Sequence, residues 1–347
     1  MKKCCVLGHF ACDRNAANGQ TVKTKIITDE LKKQLGEDSI CSIDTFGGAK
    51  VLLKAPFQVL FALRSSQNVI MLPAHNGVRV YGRLLPLFRK FFENRKIHYV
   101  VIGGWLPLFL GKRKMLAKSL KKFDGIYVET SMMKQQLAAQ GFNNVFVMPN
   151  CKDLNTLKKE DLIYSTEEPF RLCTFSRVTK EKGIGDAVEA VKAANEKHGR
   201  VIYTLDIYGA VDSDQILWFD QLQKSFPPYV KYRGLVDFNE STEVLKKYFC
   251  LLFPTHYYTE GVPGTIIDAY AAGVPVIAAR WQNFEDVIDD GITGIGYEFG
   301  NKDELVRKLI DVANCTEQIN RMKLNGLRKS REFIPRNVMV RITENLN

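Results

Sequence analysis

The sequence lacks the features of membrane-spanning, disulfide-rich and zinc-binding proteins. No stretch of about 18 uncharged apolar residues is present, so no transmembrane helix is predicted. The eight cysteines are scattered and no CxxC pair is repeated, which argues against both a zinc site and a disulfide framework. The apolar stretch that follows Met1 is too short for a signal peptide. These absences predict a cytoplasmic protein with reduced, mostly buried thiols.

Acidic residues are scarce in the first half of the chain. Residues 1–165 contain 26 Lys and Arg against 12 Asp and Glu, whereas residues 166–347 contain 23 against 26. The net charge of +11 therefore comes from the first half, which suggests two domains with different partners. A basic domain can bind nucleic acid, an acidic substrate or an anionic membrane. No nucleic-acid recognition motif accompanies the charge, so we expect no nucleic-acid partner.

Strands and helices alternate along the whole chain, without an internal repeat or a low-complexity tract. Short apolar runs predict strands, among them CCVLGHF and HYVVIGG in the first half and FRLCTFSRV and CLLFPT in the second. This alternation predicts parallel sheets and an α/β fold class, with two doubly wound Rossmann-like domains facing a central cleft. The cluster STEEP is typical of a linker, so the predicted domains are residues 1–165 and 166–335.

The segment HYYTEGVPGTIIDAYAAGVPVIAARW contains two carboxylates around a predicted helix start. Pro263 is suited to the beginning of a helix and Gly273 to its end. The apolar run Val274–Ala279 is typical of a strand covered on both faces. Glu260 then lies in the loop and Asp268 on the helix, whose free N-terminal amides form an anion site.

Three further motifs precede this segment, each after a predicted strand. They are Arg177-Val-Thr-Lys-Glu-Lys182-Gly183, then Gly209 at the end of LDIYG, then Gly234-Leu-Val236. Ligands bind beyond the carboxyl ends of parallel strands, so these loops are expected to meet at one site. Together with the Glu260 and Asp268 segment, they resemble the donor half of retaining GT-B glycosyltransferases of the large family-four type, also called group 1. The resemblance covers nearly the whole chain and is weaker in the first half.

The resemblance implies a hexosyltransferase that moves a sugar from a nucleotide-diphosphate sugar to a glycan or lipid-linked acceptor, in cell-surface polysaccharide biosynthesis. In the family, an Arg and a Lys spaced as Arg177 and Lys182 hold the donor diphosphate, and Glu260 contacts the sugar. These three are the expected catalytic residues. The two fixed cations stabilise the charge that develops on a leaving diphosphate. Asp268 takes the place of a ribose-binding Glu with a longer side chain. The expected donor-binding residues are Gly19, Gly209, Val236, Gly261, Val262, Gly264, Thr265 and Asp268.

No metal ion is expected, and no cofactor besides the nucleotide sugar as co-substrate. Asp212-Ser-Asp214 has the DxD pattern of a metal site but is more typical of a loop that caps a helix. The resemblance also implies a terminal helix, residues 336–347, that packs back on the first domain. Apolar Val338 and Ile342 alternate with charged residues there, as in an amphipathic element.

The first domain offers fewer expected site residues. Gly19 lies in an Asn-Gly-Gln loop that matches the family's Gly-rich turn near the phosphates and acceptor, where glycine permits close backbone approach. The family commonly has a His after a central strand, but this chain has Gly-Gly-Trp105 there. His75 and Trp105 are therefore acceptor-side candidates, and His9 is a second replacement for the missing His. A structural role for each His, or proton transfer to a donor phosphate oxygen, is the alternative.

Residues 83–122 combine positive charge with apolar side chains. They hold 11 Lys and Arg but one acid, Glu93, and apolar residues recur at helical spacing between Leu84 and Phe92. Basic residues beside apolar ones suit shallow docking on an anionic leaflet. The pattern predicts peripheral contact with the inner face of the cell membrane. The alternative is an apolar core face with a solvated basic face.

Three other functions would fit the predicted fold. A dinucleotide-dependent oxidoreductase would need a GxGxxG after a strand and an acidic residue about 20 positions on, and this combination is absent. A nucleotide-sugar epimerase of the same fold would release free epimerised sugar without an acceptor. A noncatalytic glycan- or nucleotide-binding protein would bind its ligand without donor turnover. The last two stay open from the sequence alone.

Overall fold

The chain forms two compact units in the computed structural model, which describes residues 1–11 and 19–346. The first unit consists of Met1–Asp153 and Phe333–Asn347, and the second of Leu154–Glu332. Each unit is built on a six-stranded parallel sheet, so the predicted α/β class is confirmed. Within the described ranges, no helix is both long and apolar enough to cross a bilayer.

The sheet of the first unit has the strand order β2-β1-β3-β4-β5-β6. The strands are β1 (Lys2–Gly8), β2 (Ile40–Asp44), β3 (Ser66–Met71), β4 (Lys96–Val100), β5 (Gly125–Val128) and β6 (Val145–Val147). The helices are α1 (Gly19–Leu35), α2 (Ala49–Leu52), α3 (Ala55–Ser65), α4 (His75–Phe88), α5 (Leu106–Gly111), α6 (Lys114–Leu120) and α7 (Ser131–Ala139). The side chains from Cys4 to Leu7 are buried on both faces, which explains why an apolar run predicted this strand.

Helices cover both faces of this sheet. On one face, Val59 of α3, Tyr81 of α4 and Leu116 of α6 share a core with Leu7 and Val69 of the strands. On the other face, α1 packs against the alternate strand residues. Helices α3, α4 and α6 therefore form one layer, and their opposite sides all point away from the sheet.

The second unit repeats the architecture with the strand order β12-β11-β10-β7-β8-β9. The strands are β7 (Phe170–Phe175), β8 (Tyr203–Tyr208), β9 (Val230–Gly234), β10 (Cys250–Phe253), β11 (Val276–Ala279) and β12 (Gly294–Tyr297). The helices are α8 (Ile184–His198), α9 (Ile216–Lys224), α10 (Ser241–Leu245), α11 (Gly264–Ala271), α12 (Lys302–Ala313) and α13 (Thr316–Ser330). Because all the strands are parallel, the loops that follow β7, β8, β9 and β10 leave the sheet at one edge.

The end of the chain completes the first unit. Two short helices, α14 (Pro335–Val338) and α15 (Val340–Asn345), stand where one helix was expected. Val338, Met339 and Ile342 are buried against the face of the sheet that α1 also covers. Both segments of the first unit thus share a single core.

The chain enters the second unit at residue 154, earlier than the boundary placed after residue 165 by the sequence. The backbone N–H of Leu157 donates to Ala271 O at 2.8 Å. Leu157 and Leu162 also pack with Leu327 of α13. These contacts attach the connecting segment to the second unit.

Candidate functional site

A threonine cap and a glycine shape the loop after β7. Thr179 Oγ1 accepts a hydrogen bond of 3.2 Å from the backbone N–H of Lys182. Gly183 follows with a φ of 70°, and a Cβ there would lie 1.8 Å from Pro254 O. Glycine is required because any side chain would overlap that carbonyl oxygen. The turn thereby carries Lys182 to the loop after β10.

Gly209, which follows β8, allows an equally close approach between its backbone and the loop after β7. Its φ is 135°, and a Cβ there would lie 1.8 Å from Ser176 O. Val178 N donates to Ala210 O at 2.7 Å, so the loops after β7 and β8 run side by side. Gly209 N donates to Gly234 O at 2.9 Å, which adds the loop after β9. The structure therefore brings three of the motif-bearing loops together.

Lys182 and Glu260 form an ion pair through the Lys182 Nζ and Glu260 Oε1 atoms. The side chains are only 14% and 17% exposed. The ammonium group also lies 5.5 Å from the ring centroid of Phe253 and 5.1 Å from that of Tyr257. Aromatic faces and a carboxylate together stabilise a cation away from bulk water. Two of the three expected catalytic residues are thus in direct contact.

Arg177 is held by a different carboxylate. Its Nη1 lies 2.7 Å from Asp212 Oδ2, and its side chain is more than half exposed. The helix cap predicted for the Asp212 loop is not formed, because α9 follows Gln215 without a side-chain capping bond. Asp212 binds Arg177 instead. A guanidinium carries five N–H donors, so Arg177 keeps donors for a second anion.

Helix α11 begins at Gly264 after Pro263 and is followed by Gly273 in the left-handed conformation, as the sequence predicted. Thr265 Oγ1 is buried and has no hydrogen-bond partner within the described part of the chain. An unpaired buried hydroxyl beside the free amides of a helix N-terminus suits an anionic ligand. Asp268, one turn further along, is buried.

The other expected donor-binding residues take separate positions. Gly261 and Val262 are buried in the loop that precedes α11, and Val236 is half-buried after β9. Gly19 is the first residue of α1 in the first unit. No atom lies within 4 Å of the position that a Cβ on Gly19 would take, so no contact in the described chain requires glycine there. Asn18, before it, lies outside the described residues.

In the first unit, the two acceptor-side candidates contact each other. His75 begins α4 and stacks on Trp105, with 3.9 Å between ring centroids. Burial lowers the pKa of His75, and the cations Arg79 and Arg113 lower it further. The imidazole is therefore neutral at pH 7 and able to accept a hydrogen bond or a proton.

A cavity of about 240 Å³ opens beside His75. His9, Pro73 and Tyr81 are among the residues that line it. Burial lowers the pKa of His9, although Asp44 acts in the opposite direction. The cavity thus places two largely neutral imidazoles among both apolar and polar side chains.

The position of the missing family histidine contains a backbone amide and a buried ion pair. Gly103 N donates to Glu129 Oε1 at 3.0 Å, and Lys23 Nζ lies 2.6 Å from the same oxygen. Both charged side chains are almost completely buried. Burying an ion pair costs desolvation energy, which its hydrogen bonds offset. The same bonds connect α1 to the ends of β4 and β5. Nothing in the sequence indicated this pair.

The family match falls on the second unit. Residues 169–314 match the family described as Glycosyl transferases group 1, and they contain the converging loops, the Lys182–Glu260 pair and α11. Residues 169–314 are therefore similar to group 1 glycosyltransferases. The family predicted from the order of the motifs is confirmed.

Two curated relatives are similar to parts of this chain. It is 25% identical over 142 residues to the amylovoran biosynthesis glycosyltransferase AmsK of Erwinia amylovora, over 40% of this chain and 34% of that protein. It is 28% identical over 215 residues to an uncharacterized 41.2 kDa protein in the cps region of Klebsiella pneumoniae, over 54% and 56%. The chain thus spans less than two thirds of either relative.

A solved structure extends the likeness to the whole chain. HepE from Anabaena, in complex with UDP and glucose, superposes with a TM-score of 0.73 at 14% sequence identity. The superposition covers 100% of this chain and 99% of that chain. This likeness confirms the predicted GT-B fold.

One set of contacts in the second unit was not predicted. His256 Nε2 lies 2.7 Å from Asp186 Oδ2, and Lys302 Nζ lies 2.8 Å from Asp186 Oδ1. The backbone N–H of His256 also donates to Glu181 O at 2.8 Å. These contacts hold the loop that carries Glu260 against the start of α8. His256 was visible beside the motif, but nothing in the sequence connected it to Asp186.

Proposed function

We propose that the chain is a retaining hexosyltransferase that moves a sugar from a nucleoside diphosphate sugar to a glycan or lipid-linked acceptor. The observation that carries the proposal is the Lys182–Glu260 ion pair, whose lysine shares the loop after β7 with Arg177, within residues that match group 1 glycosyltransferases. Retention of the anomeric configuration rests on the family resemblance.

The leaving diphosphate sets the chemical requirement. The bond between the anomeric carbon and the diphosphate oxygen breaks, and its electron pair leaves with the phosphate. The acceptor hydroxyl adds on the same face of the sugar and gives its proton to an oxygen of the departing diphosphate. Lys182 and Arg177 neutralise the charge that grows on the phosphate oxygens. If each resembles an oxyanion-hole donor, it lowers the activation barrier by about 2.7–4 kcal/mol. The α11 amides and the Thr265 hydroxyl extend the same anion site.

Glu260 has two successive partners in this proposal. Without a donor, its carboxylate neutralises Lys182. A donor diphosphate competes for that ammonium group, and the carboxylate then accepts hydrogen bonds from sugar hydroxyls. The family resemblance assigns Asp268, on α11, to the ribose side of the donor. No metal ion and no further cofactor takes part.

UDP is the nucleotide that we propose first, because HepE was solved with UDP and glucose. Polysaccharide biosynthesis follows from the likeness to AmsK, and we place the product at the cell surface. The first unit binds the acceptor, with His75 and His9 offering neutral imidazoles to hydroxyl groups. The basic segment 83–122 brings the protein to an anionic membrane surface from the cytoplasmic side.

A thermal unfolding screen with UDP-, GDP- and ADP-sugars tests the donor. A ligand that binds only the native state stabilises it by about 2.7 kcal/mol at 100 times its Kd. We expect one nucleotide class to raise the melting temperature in the presence of EDTA. Glu260→Gln is the matched variant: it should keep the stabilisation by the nucleoside diphosphate and lose the additional stabilisation by its sugar.

Product analysis separates the remaining possibilities. NMR of the transferred sugar should show the anomeric configuration of the donor. An inverted product would contradict retention, and free epimerised sugar without an acceptor would identify an epimerase. Donor binding without any turnover across a panel of glycan and lipid-linked acceptors would favour a noncatalytic binding protein. No stabilisation by any nucleotide sugar would contradict the proposal as a whole.

A further inference from the structure

Helix α3 is apolar on two opposite sides. Its inner side buries Val59 and Leu63 in the core of the first unit. Its outer side exposes Phe57 at 75% and Phe61 at 58%, four residues apart and therefore on one stripe of the helix. A helix that only covers a core has a polar outer side, so the core does not explain these two aromatic side chains.

The exposed apolar surface continues on α4 and beyond. Leu87 of α4 is half exposed, and Phe91, in the turn that follows α4, is 76% exposed. Helices α3 and α4 are in contact, since Tyr81 OH donates to Gln58 Oε1. Both cover the same face of the sheet, so their exposed sides point in the same direction.

Positive charge surrounds these side chains. We call the exposed sides of α3, α4 and α6, with the turn after α4, the outer face. Residues 53–122, which include this face, contain 14 Lys and Arg and a single acid, Glu93. Arg64, Arg83, Lys90, Lys114 and Lys118 are exposed cations on these elements.

The positive charge indicates which kind of partner covers the outer face. A second copy of this chain would bring two strongly basic surfaces together, and like charges in contact are repulsive. An anionic bilayer satisfies both features at once, because its headgroups attract Lys and Arg while Phe and Leu enter the acyl boundary. Each Lys or Arg near such a surface strengthens the attraction.

We infer that the outer face docks on an anionic lipid bilayer and that Phe57 and Phe61 are its inserting side chains. The inference rests on the membrane contact in the proposed function and deepens it. That contact was predicted from residues 83–122 alone, whereas the insertion element is α3, which lies outside that segment. The bound orientation therefore presents the helix layer of the first unit, and not its sheet edge, to the lipid.

Flotation with vesicles tests this assignment. Vesicles of phosphatidylcholine alone are compared with vesicles of phosphatidylcholine and phosphatidylglycerol at physiological salt. We expect the wild-type chain to float with the anionic vesicles only, and Phe57→Ser with Phe61→Ser to lower the partition coefficient by about tenfold or more. The matched control is Leu217→Ser, which removes an apolar side chain that is 81% exposed on α9 of the second unit and should change nothing.

A charge variant tests the second half of the inference. Lys114→Ser with Lys118→Ser should weaken binding to anionic vesicles and reduce its dependence on salt, because both residues are exposed. Arg113 is not suitable for this purpose, since its guanidinium lies 3.8 Å from the centroid of the Phe109 ring and supports local packing.

The outcomes that overturn the inference are distinct from those that overturn the donor proposal. UDP-dependent stabilisation is measured on the same preparations. Wild-type protein that is stabilised by UDP but does not float refutes the membrane face alone. Unchanged flotation of the Phe57 and Phe61 variant refutes α3 as the insertion element. Sedimentation that shows a dimer dissociating in this variant, without flotation of the wild type, identifies a second copy as the occupant.

Discussion

The two units of this protein differ in how their positive charges are balanced by carboxylates. In the second unit, the cations at the site are paired, Lys182 with Glu260 and Arg177 with Asp212. In the first unit, residues 53–122 place 14 Lys and Arg on one stretch of chain with a single acid. Paired cations keep a defined geometry. A small anionic ligand can then take the place of the carboxylate partner. A broad field of like charge has no such geometry and suits an extended anionic surface.

One buried titratable group in each unit shows a second difference. In the second unit, burial alone would raise the pKa of Asp206, but hydrogen bonds from Arg233, Tyr248 and Arg171 lower it below its usual value. In the first unit, burial lowers the pKa of His98 to about 4. Hydrogen bonds thus keep Asp206 charged, whereas burial keeps His98 neutral.

The largest expected effect comes from removing the end of the chain. Deleting residues 334–347 removes Val338, Met339 and Ile342 from the core of the first unit. Large buried apolar side chains contribute about 2–5 kcal/mol each, so the first unit should not remain folded. Calorimetry should show the loss of one transition, while the second unit keeps its stabilisation by UDP.

The matched variant for this truncation is Ile342→Val, which should cost only about 0.5–1.5 kcal/mol. Two unchanged transitions in the truncated protein would show that α14 and α15 are not part of the first core.

The next effect is on turnover. Lys182→Ala removes the cation that the proposed mechanism places on the leaving diphosphate, so the rate at saturating donor should fall by about 10²–10³. Lys134→Ala, which removes an exposed lysine of α7 in the first unit, is the control. Steady-state kinetics with a soluble acceptor measures both.

Near wild-type turnover of Lys182→Ala would contradict the difference between the two units, because paired and unpaired cations would then be equally dispensable for turnover. An equal loss in Lys134→Ala would show that general charge, and not its placement, determines the rate.

The smallest effect concerns pH and the first unit. The folded-state pKa of His98 is about 4, below the usual 6.5, so the unfolded chain binds the proton more readily. Its contribution to stability is complete above pH 6.5 and is lost as the pH falls toward 4. At pH 5 the loss should be about 2 kcal/mol. Asp206 keeps its contribution over this range, because its pKa lies below 3.8.

Unfolding of each unit at pH 7 and pH 5 checks this prediction. The free energy of unfolding of the first unit should fall more in the wild-type chain than in His98→Gln. An identical decrease in both proteins would assign the acid sensitivity to other groups.

Much of the fold could be predicted, because buried parallel strands are recognisable as short apolar runs, as in β1 and β10. The loops of the donor half were also visible, since Gly183 and Gly209 mark positions where the backbone allows no side chain. Strand β12, with the sequence Gly-Ile-Gly-Tyr, was missed because two glycines interrupt its apolar pattern.

Pairings between distant residues could not be predicted. Asp212 looked like a capping residue, and only the folded chain shows that it binds Arg177. The outer side of α3 was missed for a different reason. Its sequence, APFQVLFALRS, is apolar enough for a buried helix, and exposure of Phe57 depends on how many of its sides other elements cover.

The return of the chain at Phe333 makes the second unit an insertion within the first. On the ribosome, β1 to β6 emerge early, yet α14 and α15 cannot cover their sheet until residues 154–332 have been synthesised. At an elongation rate of about 5–20 residues per second, this interval lasts roughly 9–36 s. The second unit has its whole sequence available before the first does, so it is the unit that completes folding first. During the interval, the face around Val6 and Ile70 lacks the cover that Val338, Met339 and Ile342 later provide.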